Sequence, residues 1–175
     1  MNLRDEKNEE SVVPRGTLIG NKSLSLKVAL TAITAALYVA LGYIFQPISF
    51  LGIQFRVAEL VVGMCLLFPL EGMFGKVIGV FFVNLSSPLG PLDLLSTLVN
   101  VPALYCIILF RNKRILKYLG GVLYAIIISL YVAILLYFVA FLPIWISFLQ
   151  VLISEVVLAS LGIFLFTIIK ARLEL

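Results

Sequence analysis

Six apolar runs, several of them near the ~20 residues a helix needs to cross a hydrocarbon core, constrain this chain more than any other feature. They occupy residues 26–45, 56–70, 72–87, 92–110, 119–140 and 144–170. Gln46-Pro47, Phe68-Pro69, Ser86-Ser87-Pro88 and Pro143 mark ends between them, as expected where helices stop. Composition closes the soluble alternative. The chain is 62% hydrophobic and 13% charged over 175 residues, against about 45–50% and about 25% for a soluble domain. A domain this small cannot bury so much apolar surface. The expected fold is an all-α integral membrane bundle of six transmembrane helices spanning residues 26–175, preceded by a polar tail at 1–25. The tail has no apolar stretch followed by a small-residue cleavage site, so it does not read as a signal peptide. Its Val13-Pro14-Arg15-Gly16 resembles a protease recognition site and is set aside in reading the fold. Runs two and three are short for full spans, which suits tilted or broken helices lining a binding site.

Lys and Arg set the orientation. Arg111, Lys113, Arg114 and Lys117 lie between runs four and five. Lys170 and Arg172 end the chain, while Arg4, Lys7, Arg15, Lys22 and Lys27 begin it. Lys76 is read as near the turn between runs two and three. With six spans these all fall on one face, which the positive-inside rule makes cytoplasmic, both termini included. The opposite loops, 46–55, 86–91 and 141–143, contain no Lys or Arg. The expected localisation is a plasma membrane.

Four ionisable residues interrupt the apolar runs: Arg56, Glu59, Asp93 and Glu155. Each costs about 2.5–3.5 kcal/mol at a helix centre and needs a partner or a cavity. Arg56 and Glu59 stand three apart and can pair with each other. Asp93 follows Gly90-Pro91 and can cap run four. Glu155 is about 11 residues into run six, roughly 16 Å below its outer end, with no basic residue near it on its own helix. Three acids against one Arg suit a ligand rich in cationic or hydrogen-bond-donating groups. Asn84, Asn100 and Gln150 add polar groups on outer or middle turns. Phe45, Phe50, Phe55, Tyr105, Tyr124, Trp145 and Phe148 surround the region as packing, belt or stacking residues.

Ala32, Ala36 and Ala40 recur every fourth residue, a smooth stripe against which another helix can pack closely, inside the bundle or on a partner subunit. Histidine is absent, which removes the usual proton shuttle and the commonest metal ligand. Cys65 and Cys106 read as small buried hydrophobes. No metal cluster, cofactor motif or Walker sequence is visible, and nothing points to nucleic acid.

Three stretches carry a family resemblance. Ile53-Gln54-Phe55-Arg56-Val57-Ala58-Glu59 is similar to the I-Q-F-R-V-S-E of QueT-type S components of energy-coupling factor (ECF) transporters, with Ala58 in place of Ser. Gly75, Gly79 and Asn84, followed by Ser87, Gly90 and Asp93, have that family's spacing, with Ser96 and Thr97 where a Gly often stands. Leu142-Pro143-Ile144-Trp145 followed by Ser154-Glu155 is similar to a pattern ending in G-E, with Ser154 replacing the Gly. The resemblance covers about residues 28–170. It implies a non-enzymatic S component that captures a small heterocycle from outside and docks on a transmembrane coupling protein with two ATPase subunits. The implied substrate is a 7-deazaguanine precursor of queuosine, such as 7-aminomethyl-7-deazaguanine. The implied site takes in Glu155, Glu59, Arg56, Asn84, Asp93, Phe55 and Gln54, and the implied docking stripe is Ala32, Ala36 and Ala40. Ala58, Thr97 and Ser154 border that site and bear on the exact substrate. The competing readings are an S component for another vitamin or heterocycle, and a stand-alone secondary carrier or channel. An intramembrane enzyme lacks a nucleophile–base pair.

Overall fold

The computed structural model of the chain describes residues 23–49 and 54–173. The tail bearing Arg4, Lys7, Arg15 and Lys22, the Val13–Gly16 motif, Phe50 and Ile53 lie outside the described residues. All regular structure among the described residues is helical. Helix α1 (Leu24–Ile44) starts where the Ser23 side chain accepts from the Leu26 amide at 3.3 Å, an N-cap satisfying one otherwise unpaired donor. A four-residue turn, α2 (Gln46–Ser49), follows. A 3₁₀ helix, Val57–Gly63, runs into the short α3 (Met64–Leu67). Pro69, at the first turn of α4 (Pro69–Asn84), uses a position where a missing N–H costs nothing. Gly90, at φ 75°, turns the chain into a second 3₁₀ helix, Pro91–Leu95, that leads into α5 (Ser96–Phe110). Helix α6 (Leu116–Ala140) is stopped by Phe141 in the left-handed region, and Pro143 opens α7 (Ile144–Arg172).

Four stretches are long and apolar enough to cross a membrane: Leu24–Ile44, Pro91–Phe110, Leu116–Ala140 and Ile144–Arg172. Runs two and three are shorter, at Val57–Leu67 and Pro69–Asn84. Boundaries shift modestly from the sequence reading: α4 begins at Pro69 rather than 72, and α6 at Leu116 rather than 119.

Glycines fix how the elements lie together. A Cβ on Gly75 would strike Thr31 and Thr34, one on Gly79 would strike Tyr38, and one on Gly42 would strike Val83, so α1 and α4 run parallel. Gly120 meets Cys106 and Ile107, while Tyr124 reaches back to Asn100, which makes α5 and α6 antiparallel. Gly121 meets Ile163 and Lys117 binds Thr167, so α6 and α7 are antiparallel too. The Val57–Gly63 helix lies parallel to α7, Leu60 against Gly162 and Gly63 against Gly162 and Phe166.

The core gathers Val61, Val62, Cys65, Ala103, Leu104, Ile107, Ala159 and Ile163, all almost wholly buried. The outside is also apolar: Leu98, Leu109, Phe138, Trp145, Ile153 and Phe164 are each more than half exposed. A surface this apolar fits lipid rather than water. Charges stay out of it and concentrate at one end or in the interior.

Candidate substrate site

The largest polar group in the interior is built on Lys76, which the sequence reading placed near a cytoplasmic turn. It lies mid-way along α4 and is fully buried. Its Nζ donates to Glu59 Oε2 at 2.7 Å and to Asn100 Oδ1 at 2.9 Å, and touches the Tyr124 hydroxyl. It also stands 4.4 Å from the centre of the Tyr124 ring. Glu59 in turn accepts from Tyr38 Oη at 2.8 Å and from Tyr124 Oη. Asn100 closes the network by donating to the Ser96 carbonyl at 2.9 Å. Five elements thus meet on one carboxylate and one ammonium. Both charges are saturated by neighbours, as buried ions must be.

The expected Arg56–Glu59 pair is replaced by two others. Arg56 stands 3.7 Å from Asp93 Oδ2, and Glu59 takes Lys76. Arg56 begins the Val57–Gly63 helix, and Glu59 lies on its third residue. Arg56 is the non-helical N-cap at φ −85°, ψ 85°, so the 3₁₀ register that eclipses side chains three apart does not extend to it. The capping role for Asp93 is not taken up. Its carboxylate accepts from Ser87 Oγ at 2.6 Å, and neither the Pro91–Leu95 helix nor α5 has a side-chain cap. Asn84 is committed to structure, donating to the Asp93 carbonyl at 3.0 Å and to Ser96 Oγ at 2.6 Å. It staples the turn before α5 to the end of α4.

These pairings change the charge ledger. Two cations, Arg56 and Lys76, now offset two of the three acids. The third is Glu155, 1% exposed on α7, whose Oε2 has no hydrogen-bond partner. Glu59, Lys76 and Arg56 lie within electrostatic reach of it, because the Val57–Gly63 helix runs beside α7. Gln54 Oε1 and Asp93 Oδ1 are likewise buried acceptors without a hydrogen-bond partner. Gln54 also has a left-handed backbone at φ 48°, a conformation that costs energy in a non-glycine residue and clusters at functional sites. Thr97 Oγ1 and Ser129 Oγ are two buried hydroxyls in the same condition.

Other expected members fall away. Gln150 is exposed and points from the cluster. Tyr105 and Trp145 are 54% and 77% exposed and belong to the outer surface. Phe55 is half-buried beside Arg56, and Tyr124 joins the lysine network rather than offering a free stacking face. Ala32, Ala36 and Ala40 are all exposed, while Thr34, Ala35 and Tyr38 on the other side of α1 are buried. The cavity between Tyr38, Ser49, Arg56, Ala58 and Asn84 holds only about 10 Å³, the room of a single water.

A family model described as QueT transporter matches residues 28–171. The chain belongs to the QueT transporter family. QueT proteins are transporters rather than enzymes, and the apolar helices agree with a multi-pass membrane protein. No curated protein and no solved structure matches the chain. The QueT match takes in the lysine network, the Arg56–Asp93 pair and Glu155, so the whole interior polar group belongs to the family domain.

Proposed function

We propose that this chain is the S component of an ECF-type importer and captures a 7-deazaguanine precursor of queuosine, such as 7-aminomethyl-7-deazaguanine, from outside the cell. The observation that carries this reading is Glu155: a fully buried carboxylate with an unpaired oxygen, beside two ion pairs that already balance each other. A guanine-type edge offers two adjacent N–H donors, which one carboxylate accepts together. An aminomethyl group brings a cation, for which Asp93 Oδ1 and Gln54 Oε1 are acceptors. Every unpaired carboxylate or amide oxygen in the region is an acceptor, so the site suits a donor-rich ligand.

The register supports a reading with six membrane spans. Runs one and three are parallel, four and five antiparallel, five and six antiparallel, and two and six parallel. This is the alternation of a six-pass chain. It gathers Lys27, Arg111, Lys113, Arg114, Lys170 and Arg172 at one end, which is read as cytoplasmic with both termini. The exposed Ala32–Ala36–Ala40 stripe is the docking face for the coupling protein of the energising module. A groove of about 490 Å³ beside it is lined by Lys27, Val28, Thr31, Ala32, Ala35 and Ile78. The 10 Å³ interior cavity implies that the ligand enters by separating elements around Arg56, not by filling a ready space.

The test is binding by the purified subunit alone. Mass spectrometry of co-purified ligand, followed by calorimetry with 7-aminomethyl-7-deazaguanine, should return that compound and saturable binding. Recovery of an unrelated vitamin, with no heat on adding the deazaguanine, refutes the substrate.

A further inference from the structure

Ser129, like Thr97 on α5, is a buried helical hydroxyl whose oxygen has no hydrogen-bond partner. Thr31, Thr34, Ser49, Ser154 and Thr167 each donate to the carbonyl four residues earlier, at 2.6–3.2 Å. That bond is the ordinary refuge of a hydroxyl on a helix without water. Ser129 is fully buried on α6 and does not make it; its Oγ has no hydrogen-bond partner. An orphaned buried hydroxyl costs free energy comparable to a lost hydrogen bond and calls for an explanation.

The packing of α6 on α7 supplies one. Lys117 Nζ donates to Thr167 Oγ1 at 2.8 Å. One turn on, a Cβ at Gly121 would meet Ile163 and Ala159. Ala125 and Ala159, the next pair, are both fully buried. Residues 117, 121, 125 and 129 step by four along one face of α6, while 167, 163, 159 and 155 step back along α7. Successive four-residue steps stay adjacent on a helix surface, drifting about 40° per step along an inclined ridge. Extending the ladder by one rung would set Ser129 opposite Glu155, whose Oε2 also lacks a hydrogen-bond partner.

We propose that Ser129 is a specificity-determining ligand contact, its hydroxyl donating to the carbonyl oxygen of the heterocycle edge whose N–H groups Glu155 accepts. This rests on the functional reading above and adds a donor beside the acceptor oxygens of Glu155, Gln54 and Asp93. A guanine-type edge presents a carbonyl oxygen next to a ring N–H and an exocyclic amino group. A carboxylate satisfies the two donors and leaves the oxygen unmet. One hydroxyl on the neighbouring helix meets it. A purely acceptor-lined site would bind any amidine-like edge; Ser129 selects those that carry an adjacent oxo group.

The experiment is a two-by-two titration of the purified full chain in detergent. Parent and Ser129→Ala are each titrated with 7-aminomethyl-7-deazaguanine and its 6-thio counterpart. Sulfur is a weak acceptor, and both N–H donors are kept. Ser129→Ala should weaken the oxo ligand about three- to tenfold, the worth of one net hydrogen bond, and the thio ligand less than about twofold. Ser129→Thr, which keeps a hydroxyl, should restore the preference for oxo over thio. Unchanged binding of the oxo ligand by Ser129→Ala, or equal weakening of both ligands, overturns the contact and leaves the functional reading standing. A folded parent that binds neither compound overturns both.

Discussion

Replacing Lys76 by methionine tests whether the interior network is a mutual dependence of charges. Lys76 Nζ is fully buried and bonded to Glu59 Oε2 at 2.7 Å, to Asn100 Oδ1 at 2.9 Å and to the Tyr124 hydroxyl. Methionine preserves most of the volume and removes the cation. Glu59 then keeps only Tyr38 and Tyr124 as donors, and its charge is left uncompensated with 2% of its surface exposed. Removing one member of a buried pair costs about 3–5 kcal/mol, whereas replacing both members is often near neutral. Glu59→Gln combined with Lys76→Met removes both charges and leaves an amide for the tyrosines. The double variant should therefore be more stable than Lys76→Met alone, with a coupling of about 2–3 kcal/mol in the cycle. Cys65 is fully buried, so reaction of its thiol with a fluorogenic maleimide during heating, in a Cys106→Ala background, reports unfolding. A Lys76→Met protein that melts with its parent, or a double variant no better than the sum of the singles, refutes the coupling.

Three further outcomes are expected. Glu155→Gln turns one acceptor oxygen into a donor facing the ligand's N–H groups, and should weaken 7-deazaguanine binding about ten- to hundredfold by calorimetry, with folding retained. Ala36→Leu, on the exposed face of α1, should abolish cellular uptake while the isolated subunit binds as before; lost binding would return the stripe to internal packing. Asn112→Cys, in the loop between α5 and α6, should resist an impermeant thiol reagent in intact cells, and rapid labelling would invert the orientation.

The helical runs were legible because their limits are covalent: prolines at 69, 91 and 143 stop or start helices whatever packs around them. Glu155 was legible because no residue on its own helix can answer its charge. The lysine network was not. Lys76 lies seven residues after Pro69 and eight before Asn84, and that central position was the available signal. A run begun at 72 pushed the lysine toward an end and turned a buried ion into an orientation marker. Tyr38, Asn100 and Tyr124 are polar residues on separate helices, and only packing brings them to one carboxylate. Arg56 and Glu59 looked paired by spacing alone. Spacing cannot show that Asp93 and Lys76 come nearer through the fold.

The Val57–Gly63 helix has one further consequence. A 3₁₀ helix rises about 2.0 Å per residue and turns about 120°, against about 1.5 Å and about 100° for an α-helix. Its seven residues thus reach about 14 Å where an α-helix would reach about 10.5 Å. Rewinding this segment to α would shorten it by about 3.5 Å and rotate one end against the other by about 140°. Leu60 and Gly63 pack against Gly162, and Glu59 is held by Lys76, Tyr38 and Tyr124. Arg56, ahead of these contacts and paired with Asp93, helps to line the 10 Å³ cavity. Any change of winding there would bear on that pair and on the cavity wall it helps to form.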